Sequence, residues 1–177
     1  MKLKILSWNV RGANDKNKRK VIKVLIRSQK VDMVCLQETK IQDMSQGVIH
    51  SLGERRFLGW GAVNATGIAG GVVVLWDKRV LELVGLEVGL FSILCRFKNC
   101  EDGFMWFFTR VYGPTLKSYK EPLWEELGAI RGLWSDPWCI GGDFNVIRFR
   151  SERSREGRLS GSMRRFSEVL DFLMSWL

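Results

Sequence analysis

LKILSWNVRGANDKNKRKVIKVLIRSQKVDMVCLQ, residues 3–37, sets the fold class. Residues 3–10 read as a first strand. The polar stretch 12–18 leads into a helix whose apolar positions Val21, Val24, Leu25 and Ile26 keep helical spacing. Met33–Gln37 reads as a second, buried strand. Strand, helix and strand with short joins open an α/β layered fold. Working outward, the texture changes after Phe57. Residues 70–76, Leu81–Val88, 91–97 and 104–112 are β-rich runs separated by Gly, Asp, Lys and Asn, which predicts neighbouring strands of one antiparallel sheet. Residues 119–134 place Leu123, Trp124, Leu127, Ile130 and Leu133 or Trp134 on one helical face, and Pro137 ends that helix before a strand at 138–140. Residues 147–162, rich in Arg, Ser, Glu and Gly, suit an exposed loop. Met163, Phe166, Leu170, Leu173 and Leu177 then mark a final helix. With no internal repeat and no linker, residues 1–177 read as one domain. The last residues, Ser175-Trp176-Leu177, carry no Gly cap and end on two large apolar side chains, so the expectation is a chain cut within a domain.

An apolar fraction of 46%, with eight Trp and ten Phe, supports a folded core rather than a disordered tail. The 28 Lys and Arg against 19 Asp and Glu are unevenly spread: residues 11–30 hold eight bases and residues 148–165 hold seven, with three acids among them. Two concentrated basic segments on a near-neutral body predict a face that meets a polyanion; the plainer alternative is two solvated faces. Cys35, Cys95, Cys100 and Cys139 form no CxxC pair and read as buried thiols of a reducing compartment. The start is too short in apolar residues for a signal sequence and no stretch is long enough to span a bilayer, so the nucleus or cytoplasm is expected.

Four polar blocks stand at the carboxyl ends of predicted strands: Trp8-Asn9-Val10-Arg11-Gly12, Leu36-Gln37-Glu38-Thr39-Lys40, Val111-Tyr112-Gly113-Pro114 and Gly141-Gly142-Asp143-Phe144-Asn145. Strand ends are where separate segments of a layered α/β protein converge on one crevice. Glu38, placed after an apolar run, is costly to bury unless it faces a metal or another cation. A hard divalent ion takes one or two carboxylates plus waters and phosphate oxygens, whereas no Cys/His spacing suits zinc. Asp143 can serve as base, acid or metal partner, and Asn145 can donate and accept hydrogen bonds. Each block also has a purely structural reading. Asn9 could cap a turn, Glu38 could charge a helix start, Tyr112 could be core with a wet hydroxyl, and Asp143 could form an Asx turn.

Together, in this order, the blocks resemble the endonuclease/exonuclease/phosphatase superfamily over essentially the whole chain. The wording WNVRG, LQETK, VYGP and GGDFN looks most like the endonuclease domain at the front of plant non-LTR (LINE-type) retrotransposon polyproteins. The resemblance implies a four-layer α/β sandwich, two β-sheets face to face flanked by helices, and hydrolysis of a DNA phosphodiester with Mg²⁺ or Mn²⁺. It implies that Glu38 holds the metal, that Asn9 orients the metal site, and that Tyr112 touches the scissile phosphate. Asp143 and Asn145 would position the attacking water and the phosphate. Arg11, Lys40, Arg148, Arg150 and Arg153 would contact the nucleic-acid backbone without reading sequence, and a fused or neighbouring reverse transcriptase would use the cut end. Arg11 stands where related abasic-site repair enzymes carry Asp, which argues against repair. The family's carboxyl-terminal Asp and Ser-Asp-His block has no counterpart after Asn145, and the single histidine, His50, does not match it. The expectation is therefore an incomplete sandwich with weakened or absent activity. The alternatives are a non-catalytic retroelement relic that binds metal and nucleic acid, and a repair endonuclease or other phosphoesterase of the same fold.

Overall fold

Every residue of the strand Met33–Gln37 is buried, which requires cover on both faces. The computed structural model supplies it. It describes residues 2–54, 59–66, 70–113, 117–146, 148, 149, 151, 158 and 160–174. The elements run β1 (Ile5–Asn9), α1 (Lys16–Gln29), β2 (Met33–Gln37), α2 (Gln46–Leu52), β3 (Gly59–Val63), β4 (Val72–Trp76), β5 (Leu81–Val88), β6 (Ser92–Asn99), β7 (Met105–Tyr112), α3 (Lys120–Leu133), β8 (Trp138–Asp143) and α4 (Gly161–Met174), with a 3₁₀ turn at Lys117–Tyr119 before α3.

The strands form two mixed four-stranded sheets, ordered β1-β2-β4-β3 and β5-β6-β7-β8. In each, one outer pair is parallel, β1 with β2 and β7 with β8, and the remaining pairs are antiparallel. Side chains alternate across the strands and separate three apolar layers. Val34, Leu36, Val73 and Leu75 pack outward with Ile22 and Ile26 of α1 and Ile49 and Leu52 of α2. Met33, Cys35, Val74 and Trp76 face Ile93, Cys95, Phe97, Trp106 and Phe108 between the sheets. Phe107 and Val111 pack outward against Leu123, Trp124 and Leu127 of α3 and Phe166 and Val169 of α4. Helix, sheet, sheet and helix make the four-layer sandwich expected from the sequence.

Three local expectations change. Helix α1 buries the expected Ile26 together with Ile22 and leaves Val21 and Val24 about two-thirds exposed, so of the expected stripe Ile26 holds and Val21 and Val24 do not. β4 belongs to the first sheet, between β2 and β3, and not with β5–β7. Cys35 and Cys95 are buried, but Cys100 and Cys139 are exposed.

Candidate active site

The end of β1 and the end of β2 lie side by side, because the parallel register pairs Asn9 with Gln37. The end of β7 and the end of β8 do the same in the other sheet, pairing Tyr112 with Asp143. One buried amide joins the two: Gln37 Nε2 donates to the Val111 carbonyl, 3.2 Å away. Glu38 and Tyr112 each follow one of these tied residues, so all four polar blocks gather at one end of the sandwich.

In the first sheet, Asn9 Nδ2 donates to Glu38 Oε1 at 2.8 Å in a half-buried position. The Asn9 side-chain oxygen accepts the Arg11 amide at 3.0 Å, an Asx turn. Glu38 is in no helix; its φ is +49°, among neighbours Arg11 at +50° and Lys40 at +55°. Backbone bonds from Gly12 to the Glu38 carbonyl and from Ala13 to the Thr39 carbonyl hold the two loops together, and Thr39 and Lys40 donate to Gly71 and Gly70. A Cβ on Gly70 would lie 2.9 Å from Glu38 Cγ, so glycine lets the segment before β4 pass this near the carboxylate stem. The result is a carboxylate with one oxygen held by Asn9. It fits a hard divalent ion that takes one protein carboxylate and fills its other positions with water and phosphate oxygens. Among the described residues, no group of three His, Cys, Asp or Glu gathers to form a fuller cage.

In the second sheet, the Asp143 Oδ1 accepts the Asn145 amide at 2.9 Å, so the Asx-turn reading of Asp143 holds for one of its oxygens. Asn145 sits at φ +48° and its Nδ2 donates to the Gly113 carbonyl. Asp143 and Asn145 are both exposed at the rim. Tyr112 is half-buried and its hydroxyl donates to the Gly89 carbonyl at 3.2 Å. Burial first, and the charge of Glu126 second, push its phenol above the ordinary range, so it is neutral and can donate.

Arg11 and Lys40 are exposed beside the Asn9–Glu38 pair. Arg148 pairs with Asp171 at 2.5 Å and lies over the Phe149 ring, so any nucleic-acid contact by Arg148 competes with an ion pair. Arg150, Arg153 and Pro114 lie outside the described residues, as does 175–177. His50 is exposed on α2 and its Nε2 meets Gln46 Nε2 at 2.9 Å, away from the strand ends.

Two site residues were not anticipated. Lys120, at the start of α3, donates through Nζ to the Phe144 carbonyl and to that of Asn145 at 3.2 Å, which holds the loop after β8. Burial lowers its ammonium pKa and the neighbouring Asp143 opposes the shift. Arg110 is 6% exposed on β7, and its Nε has no hydrogen-bond partner among the described residues. Its guanidinium stands over Gly141, with Nη1 3.7 Å from where a Cβ would be. Both had a signal. Arg110 alternates with Trp106, Phe108 and Tyr112 on the face toward the other sheet, and Lys120 opens an otherwise apolar helical stripe.

The sequence profile of the Endonuclease/Exonuclease/phosphatase family matches residues 6–175. The chain belongs to that family. No curated protein matches it at the level of sequence. Its fold is similar to the crystal structure of the Xenopus laevis APE2 catalytic domain, with TM-score 0.70, 18% identity, and coverage of 94% of this chain and 67% of that one. It is similar to the AP endonuclease LMAP from Leishmania major, with TM-score 0.66, 17% identity and coverage of 96% and 66%. It is also similar to D. rerio TDP2 complexed with single strand DNA product, with TM-score 0.61, 16% identity and coverage of 82% and 61%. The chain thus spans about two-thirds or less of the length of these three proteins, and at such identities the likeness is one of fold.

Proposed function

We propose that this family member is a divalent-metal-dependent phosphodiester hydrolase domain that acts on DNA, of the kind found in LINE-type retroelements. The observation that carries the reading is the Gln37–Val111 tie, which brings Asn9 and Glu38 to the same end of the sandwich as Tyr112, Asp143 and Asn145. Glu38 would hold Mg²⁺ or Mn²⁺. When bound, the metal would supply positive charge to offset the charge growing on the phosphate. Asn9 keeps the Glu38 carboxylate in one orientation. Tyr112 offers a neutral hydroxyl to a phosphate oxygen, the second oxygen of Asp143 takes a proton from the water that forms the new P–O bond, solvent protonates the ester oxygen as its bond to phosphorus breaks, and Asn145 orients the group beside it. Arg11 and Lys40 add sequence-blind backbone contacts, so binding weakens steeply with salt. Arg148, Arg150 and Arg153 extend that contact. The retroelement assignment rests on the wording of the four blocks and on Arg11. It brings with it a fused or neighbouring reverse transcriptase as partner, and the nucleus or cytoplasm as place of action.

The test is DNA binding and plasmid nicking with and without Mg²⁺. The expected outcome is that Mg²⁺ tightens binding several-fold, that supercoiled plasmid is nicked slowly, and that Glu38→Gln removes both effects. Identical binding and nicking in Glu38→Gln would falsify the assignment.

A second reading keeps the binding and drops the chemistry. His50, the single histidine of this sequence, pairs with Gln46 on α2, so it is not the base at the strand ends. On this reading, Mg²⁺-dependent DNA binding survives while plasmid stays intact at long incubation.

A further inference from the structure

Glu126 lies on α3, outside the four polar blocks, and yet it is the most heavily bonded carboxylate near them. Its Oε2 accepts the Leu90 amide at 2.9 Å, both oxygens accept the Phe91 amide at 3.1 and 3.2 Å, and Oε1 accepts the Ser92 hydroxyl at 2.5 Å. These donors belong to the turn at 89–92 that joins β5 to β6. Ser92 is 1% exposed, so the clamp is buried at its Ser92 end, while its Leu90 end faces solvent. The turn is shaped around the carboxylate: a Cβ on Gly89 would sit 2.2 Å from Glu126 Oε1. Gly89 also donates its amide to the Ser92 carbonyl at 2.9 Å, which closes the turn on itself.

The turn in turn holds Tyr112 from two sides. The Phe91 carbonyl accepts the Tyr112 amide at 2.9 Å, and the Gly89 carbonyl accepts the Tyr112 hydroxyl at 3.2 Å. A phenol has one proton. While that proton points at Gly89, the hydroxyl oxygen stays where the turn puts the carbonyl, and the turn is set by Glu126; on phosphate binding the proton turns to the phosphate oxygen and the oxygen keeps its place. A loop fastened only by its own backbone bond would let the carbonyl wander. A carboxylate accepting from two amides and a hydroxyl fixes it, because hydrogen bonds to an ionised acceptor are short and about twice as strong as neutral ones.

We propose that Glu126 is a positioning residue for Tyr112: by clamping the 89–92 turn it fixes the Gly89 and Phe91 carbonyls that hold the Tyr112 ring and its hydroxyl oxygen beside the phosphate position, where the phenol proton turns from Gly89 to a phosphate oxygen. This rests on the reading of Tyr112 as a phosphate contact. Glu126 touches no reacting atom. Its second effect is electrostatic, since a negative charge close to the phenol disfavours the phenolate and keeps the group a donor. Among the described residues, the other charged groups around Tyr112 are Asp143, in register beside it on β8, and Arg110, two residues earlier on β7.

The chain has two tyrosines, so NMR of the full chain labelled with ¹³C at the tyrosine ζ carbon gives two signals, assigned with Tyr119→Phe. In Glu126→Ala the Tyr112 midpoint is expected to fall and the Leu90 and Phe91 amides to exchange at least ~10-fold faster, while Tyr119 stays unmoved. If that variant does not fold, Glu126→Gln keeps the side-chain volume and one acceptor oxygen but loses the charge, and is expected to lower the midpoint by itself. Faster amide exchange with an unmoved Tyr112 signal would make Glu126 a brace for the turn alone and overturn the proposal, as would no change in either. In the nicking reaction the expected loss is in kcat, on the order of 10- to 100-fold, with KM retained. The NMR arms need no catalysis, so an inactive chain removes the functional reading while leaving the Glu126–Tyr112 coupling to be judged separately.

Discussion

A guanidinium enclosed at 6% exposure, with its Nε unpartnered among the described residues, carries a desolvation cost that no carboxylate of those residues offsets by an ion pair. Burial lowers the Arg110 pKa, and the neighbouring Cys35 and Asp143 oppose the shift. Replacement by an apolar side chain of similar volume should therefore relieve the fold. Arg110→Met is expected to stabilise by about 1–4 kcal/mol, read as a rise in Tm of a few degrees or more. A lower Tm would mean that the guanidinium has a partner the fold depends on. At this same scale the sequence was legible where chemistry and position agree: Asn9, Glu38, Tyr112 and Asp143 all stand at strand ends, as their blocks predict. What could not be read was the partner of each. The Asn9–Glu38 bond spans 29 residues and the Tyr112–Gly89 bond spans 23, and no local pattern encodes a contact across such gaps.

Among elements, α1 is the instructive case. The run Val21-Ile22-Lys23-Val24-Leu25-Ile26 offers two apolar stripes about 100° apart, and helical periodicity alone does not choose between them. The structure chooses Ile22 and Ile26, which meet the face of β2 and β4 together with Ile49 and Leu52. Ile26→Ala should then cost about 2–5 kcal/mol in urea unfolding, by the usual cost of emptying a core site. Val24→Glu should stay within about 0.5 kcal/mol. The reverse ranking would put Val24 in the core and Ile26 outside it. Strand β3 escaped notice because Gly59-Trp60-Gly61 lacks the β-branched alternation that marks a strand; Gly59 instead leaves room for Trp76 across the pair. β4 was assigned to the wrong sheet because adjacency in sequence suggested hairpin neighbours, whereas the chain leaves the first sheet after Trp76 and begins the second at Leu81.

At the scale of the whole molecule, the layer between the sheets holds two thiols whose ionisation it resists. Burial pushes Cys35 and Cys95 up from 9.0 to about 12. A group whose pKa is raised by folding contributes stability that is complete below its unfolded value and is lost as pH climbs to the folded one. Unfolding free energy should therefore decline between pH 9 and about 12, and Tyr112, also raised, adds to the decline. Lys120, lowered by burial, works in the opposite direction over part of that range. Urea titrations at steps of pH are expected to show a shallower alkaline loss in a Cys35→Ala, Cys95→Ala variant than in the parent. Equal slopes would show that other groups set the alkaline limit.

Four non-glycine residues near the site, Arg11, Glu38, Lys40 and Asn145, sit with φ between +48° and +55°. That backbone region costs L-residues roughly 1–2 kcal/mol each, least for Asn, and glycine almost nothing. Stability and site chemistry thus pull on these positions in opposite directions. A randomised library of this chain sorted for thermal resistance alone would drift toward glycine at Arg11 and Lys40, and each step of that drift would strip a positive charge from the mouth of the site.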